Sequence, residues 1–78
     1  MNGLRNTELR DKGNVYLPGV ARTLNNLGNL FRDERQVTDA HRTYEEALGI
    51  YRTMSKLAPD RFRADLLMVE TNVNQLSD

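Results

Sequence analysis

His41 and Glu45 stand one helical turn apart and are the first residues in the chain whose types suit metal coordination, an imidazole nitrogen beside a carboxylate oxygen. A metal site needs at least one more ligand. None is near in sequence, there is no HExxH pattern, and the chain holds a single His and no Cys. The pair reads as polar helix surface, so neither a metal nor a cofactor is expected. Glu45 and Glu46 are adjacent, which on a helix points them in different directions and prevents them from sharing acid and base roles on one substrate atom. With no glycine-rich phosphate loop, no GxSxG and no second His for a relay, the sequence offers no catalytic set, and we expect no enzyme.

A second constellation suits recognition. Arg22, Asn25, Asn26, Asn29 and Arg32 lie off the apolar stripe of a helix, and steps of three and four keep Arg22, Asn25 or Asn26, and Asn29 on one neighbouring surface. An Asn side chain carries one acceptor and two donors and so pairs with a peptide unit of any sequence, while Arg adds a permanent charge. Asn is a mediocre helix former. Three in five residues is a propensity cost that either binding or burial would explain, and polar surface is the alternative.

The elements that must position these groups follow from periodicity. Leu24, Leu27 and Phe31 recur at helical spacing on one side of a polar stretch, Asp33 to Gln36, and Ala40, Tyr44, Ala47 and Tyr51 recur on the other. Small residues fall where two helix axes would approach closely: Gly28 in the first stripe, Ala40 and Ala47 in the second. A packed antiparallel pair is expected. Pro18 suits the first turn of the first helix, because its missing amide proton would have no partner there. Val37 to about Lys56 forms the second helix, with Val37, Leu48 and Met54 also turned inward. Ala58-Pro59-Asp60 ends it, and Phe62, Leu66, Val69, Val73 and Leu76 mark a third helix with a single apolar stripe. Residues 1–13 are polar apart from Met1, Leu4 and Leu9, and Lys12-Gly13-Asn14 reads as a helix stop. The organisation expected is therefore a partly helical tail over 1–13, a helix-turn-helix over 14–58 and a third, capping helix over 59–78.

The order Leu24, Leu27-Gly28, Phe31, Ala40, Tyr44, Ala47 resembles the tetratricopeptide signature of large, Leu-Gly, aromatic, Ala, aromatic, Ala. YLPGVARTLNNLGNLF with YEEALGIYR and the later Pro59-Asp60 is similar to the kinesin-light-chain-like subclass with longer repeats. The resemblance implies an all-α fold, an antiparallel hairpin plus a capping helix, as a fragment of an α-solenoid. It further implies a non-catalytic module for protein interaction, whose first-helix residues Arg22, Asn25, Asn26, Asn29 and Arg32 line a groove for an extended peptide. Leu24, Leu27, Gly28, Phe31, Ala40, Tyr44 and Ala47 would be its packing set. Many members carry a glycine in the turn between the two helices, and this chain has none there. Residues 61–77 echo the first helix, with Phe62 aligned to Tyr16, but Glu70, Asn74 and Ser77 replace Leu24, Gly28 and Phe31.

Length bounds the rest. Seventy-eight residues make one small domain, whose core is modest and which has no disulfide to supplement it. Eleven basic and eleven acidic residues are interspersed, giving no net attraction to nucleic acid or to a membrane surface. No apolar run reaches the roughly 20 residues of a membrane span, and MNGLRNTELRDKG has no signal-peptide core, so a cytoplasmic protein is expected. A single helix pair leaves part of its small-residue and apolar surface uncovered. The expected partners are accordingly a protein or peptide and a second copy, in a homo-oligomer with a dimer as its simplest form. A self-associating unit or a fragment of a longer array with no ligand of its own is the alternative, ahead of a metal-binding or enzyme-accessory bundle.

Overall fold

The computed structural model describes residues 2–76, with side chains described from residue 16 onward. The protein is all-α: α1 spans Asn2–Asp33, α2 Val37–Leu57 and α3 Pro59–Gln75, with no strand among the described residues. The second and third helices lie where the apolar stripes put them. Residues 77 and 78, at the end of the expected capping helix, fall outside the described residues, as do the side chains of Leu4 and Leu9.

The first helix differs from expectation. It is continuous through Lys12-Gly13-Asn14, with Pro18 in its interior and not at its start. Pro18 forgoes the bond to the carbonyl of Asn14 and crowds it, a cost of about 3 kcal/mol or more in a helix interior. Helix-favouring residues on the upstream side, Leu4, Arg5, Glu8, Leu9, Arg10 and Lys12, work against a break, and downstream the helix is anchored by packing on α2. Gly13 lowers helix propensity without supplying a stop.

α1 and α2 run antiparallel, since Gly28 and Asn29 meet Tyr44 while Arg22 lies near Tyr51. The turn between them closes without glycine. The Arg35 amide donates to the Arg32 carbonyl at 2.9 Å and the Gln36 amide to the Phe31 carbonyl at 2.8 Å, the two bonds of a Schellman motif. That motif requires a left-handed residue, and Arg35 takes it at φ 63°. The second joint is one residue long. Ala58 ends α2 through its amide, 2.9 Å from the Met54 carbonyl, and its own carbonyl accepts from Phe62 at 3.2 Å to begin α3, with Pro59 in the first turn.

The core runs along α2. Ala40, Tyr44, Ala47, Leu48, Tyr51 and Met54 are buried, Ala21 and Gly28 meet them from α1, and Phe62 and Val69 meet them from α3. Leu24 and Phe31 are half-buried against this cluster, as are Leu66, Val73 and Leu76. Two expected core residues are not in it. Leu27 is 38% exposed and Val37 49% exposed. The seam is centred on Gly28, and Leu27 is rotated from it by about 100° of helix, while Val37 is the first residue of α2, next to the turn.

Candidate interaction groove

Arg22, Asn25, Asn29 and Arg32 lie along one edge of the α1–α2 seam, to which α3 brings Asn72 and Asp65, whereas Asn26, two residues from Gly28, faces away from α2. Asn72 Nδ2 donates to Asn25 Oδ1 at 2.9 Å, joining α1 to α3 across 47 residues. One turn further along α1, the Tyr44 hydroxyl donates to Asn29 Oδ1. In the other direction the Tyr51 hydroxyl sits close enough to Asp65 and Arg22 to feel both charges. Tyrosines of α2 thus form the floor, with α1 and α3 as walls.

Local sequence explains the arrangement. Tyr44 and Tyr51 are seven residues apart, two turns on one face of α2, so their rings fill the core while their hydroxyls reach its polar edge. Tyr44 lies flat over Gly28. A Cβ built on that glycine would stand 2.5 Å from Cδ1 and Cε1 of the ring, so no other residue fits without movement. Burial raises both hydroxyls above the ordinary tyrosine range. At Tyr44 the positive charge of Arg32 opposes that rise and Asp33 adds to it, while at Tyr51 Asp65 adds to it and Arg22 opposes it.

The five α1 residues singled out from sequence have different fates. Arg22 and Asn26 are exposed. Asn25 is 4% exposed with its side-chain oxygen engaged by Asn72, so the reading of Asn25 as a free surface group is corrected. The propensity cost of that asparagine is offset by a part-buried hydrogen bond. Asn29 is half-buried, with its side-chain oxygen engaged by Tyr44. The Arg32 side chain is 37% exposed and leans on Asp33 at 3.4 Å. Among the described residues no buried side-chain nitrogen or oxygen lacks a partner. The groove is a satisfied polar ladder bounded by the guanidinium groups of Arg22 and Arg32, ten residues or about 15 Å apart along α1.

Sequence reasoning missed Asn72, Asp65 and the hydroxyls of Tyr44 and Tyr51 as members of this edge. They carry no local signal, because each joins the edge through a residue of another helix, Asn72 through Asn25 47 positions away and Tyr44 through Asn29 15 positions away. His41 and Glu45 line a separate open hollow with Val37, Thr38, Arg42 and Leu76. Among the described residues no three side chains come together that would hold a metal ion. No helix among them is long and apolar enough to cross a membrane. Comparison with family models, with curated proteins and with solved structures gives no match.

Proposed function

We propose that the chain is a non-catalytic protein-interaction module of tetratricopeptide type, holding an extended segment of a partner protein along the α1–α3 edge. The observation that carries this reading is the polar ladder itself: Asn25 with Asn72 and Asn29 with Tyr44 form a rigid edge, with Arg22 and Arg32 at its two ends. Hydrogen bonds within the ladder fix its side chains before binding, which lowers the ordering cost of association. Asn29, half-buried at this edge, offers an amide group to a peptide backbone, and the arginines offer charge.

The geometry gives the peptide a pattern. An extended chain advances about 3.3 Å per residue, so carboxylates matching two guanidinium groups about 15 Å apart lie about five residues from each other. Selection from a library of displayed peptides against the full chain should enrich sequences with two acidic residues at that separation. Reversal of both charges, Arg22→Glu with Arg32→Glu, should abolish the enrichment. Selected sequences without acidic residues, or enrichment unchanged by the reversal, would overturn this reading.

Self-association is the second reading, and one observation favours it: Tyr16, Leu27 and Leu30 leave an apolar row of α1 in solvent. A homodimer is the simplest way to cover such a row.

A further inference from the structure

The two tyrosines beneath the polar edge differ in what they bond. The Tyr44 hydroxyl donates to Asn29. Tyr51 is 2% exposed and its hydroxyl bonds to none of the described residues; since none of their buried side-chain oxygens lacks a partner, that hydroxyl is the part of Tyr51 that water reaches. Helix register places the groups around it. Tyr51 lies two turns along α2 from Tyr44, Arg22 one turn along α1 from Asn25, and Asp65 two turns along α3 from Asn72. The Asn25–Asn72 bond therefore sets Arg22 and Asp65 on opposite walls, with the Tyr51 hydroxyl between them in the field of both. These two charges do not pair with each other: among the described residues the ion pairs are Arg32–Asp33 and Arg42–Asp39. Arg61, one turn before Asp65, lies over the Phe62 ring, 5.1 Å from its centroid. The groove thus ends unequally. At one end Arg32 leans on its own neighbour Asp33, and at the other a half-buried carboxylate and a phenol oxygen face Arg22 with no ion pair to a described residue.

From this we infer, resting on the peptide-binding reading already proposed, that Asp65 and the Tyr51 hydroxyl bind a cationic side chain of the partner segment and so set the direction in which that segment lies. Both oxygens accept hydrogen bonds, and an ammonium or guanidinium group supplies several donors together with the charge that Asp65 lacks. A second carboxylate at this point would be repelled by Asp65, and a neutral group would leave its charge uncompensated. The position of the cation follows from the same register. Asp65 is seven residues before Asn72 and Arg22 three before Asn25, a difference of about 6 Å along the groove, or about two residues of extended chain. Side chains two apart on an extended chain point to the same side. The segment therefore carries its cation about two residues outside the acidic residue that faces Arg22, on the side away from Arg32. An acidic pair alone has no polarity; a cation at one end supplies it.

In a selection of displayed peptides against the full chain, the acidic pair should be accompanied by Lys or Arg about two residues outside one of its members and not the other. Asp65→Asn should return that outer position to the background composition of the library while the acidic pair persists, and Asp65→Arg should turn its preference acidic. A selected peptide, labelled and titrated by fluorescence anisotropy, should lose about tenfold in affinity for the original chain when its cation is replaced by Ala, and less than about twofold for Asp65→Asn. The first of these titrations uses the unaltered chain and so does not depend on the folding of a variant. An acidic pair with no cation beside it, or a cation whose removal costs nothing or costs the same against both chains, would overturn the inference and leave the reading of the groove standing. Absence of the acidic pair itself would overturn both.

Discussion

The two seams along α2 are built by opposite means. Against α1 the contact is made by small residues, Ala21 and Gly28 from one side and Ala40 and Ala47 from the other, with one large ring, Tyr44, laid over the glycine. Against α3 the contact is made by volume, Phe62, Leu66, Val69 and Val73 filling the space over α2. The first seam brings backbones close enough for side chains at its edge to bond across it, which is where the Asn29–Tyr44 pair arises. The second is filled by larger side chains, and its polar tie to the rest, Asn72 to Asn25, reaches past α2 to α1. Close approach sets the polar edge, and volume holds the third wall against it.

The largest expected effect breaks the volume seam. Phe62→Ala removes the buried ring from the first turn of α3 and should cost about 3–5 kcal/mol. In a domain of this size, where each kcal/mol moves the midpoint by about 4–8 °C, thermal melting would show α3 loosened or the whole unit unfolded. A change under about 1 kcal/mol would mean that α3 contributes little and that the two seams are not comparable.

A smaller effect sharpens the polar edge of the close seam. Both tyrosine hydroxyls have raised values in the folded protein, so the unfolded chain releases those protons first as alkali is added. The associated stability is present below the ordinary tyrosine value of about 10 and is lost as pH rises through the folded values. Denaturant midpoints measured from about pH 8 to about pH 11 should fall above about pH 10, and Tyr44→Phe should flatten that fall. At neutral pH the same substitution removes the bond to Asn29 and should cost about 0.5–1.5 kcal/mol. An equal alkaline loss in the variant would separate Tyr44 from the effect.

The smallest expected effect concerns the turn that joins the close seam. Arg35 holds a left-handed conformation that costs a non-glycine residue about 1–2 kcal/mol, part of which Gly would return in chain entropy. Arg35→Gly should therefore raise the melting midpoint slightly, by at most about 1 kcal/mol in stability, with α1 and α2 unchanged. A lower midpoint would show the Arg35 side chain to be stabilising in its own right.

Much of this was legible in the chain because stripe period and residue size are local properties. Ala40, Tyr44, Ala47 and Tyr51 announce α2, and Phe62 to Leu76 announce α3, before any contact is known. Gly28 is legible as a point of close approach, and the atoms nearest to it across the seam are those of the Tyr44 ring. What was not legible depends on competition or on distance. Pro18 and Gly13 have boundary chemistry, and only the balance between helix formers upstream and packing downstream carries α1 through them. The left-handed turn residue is an arginine because two backbone bonds fix the geometry whatever the side chain. Asn25 belongs to the interior through a partner 47 residues away, which no local pattern reports.

The claim on which the rest depends is that α1 and α2 meet at Gly28. Two glycines in helix interiors make the test internal: Gly28 lies under the Tyr44 ring, whereas Gly49 is exposed, and a methyl carbon added there would meet no atom within 4 Å. Helix propensity favours Ala over Gly at both by about 0.5–1 kcal/mol. At Gly28 the added methyl would also meet a fully buried ring, and overpacking of about 1–3 kcal/mol outweighs that gain. Thermal melting of Gly28→Ala and Gly49→Ala, side by side, should therefore move in opposite directions, the first down and the second up. A rise in both would contradict the close seam and the polar edge built on it.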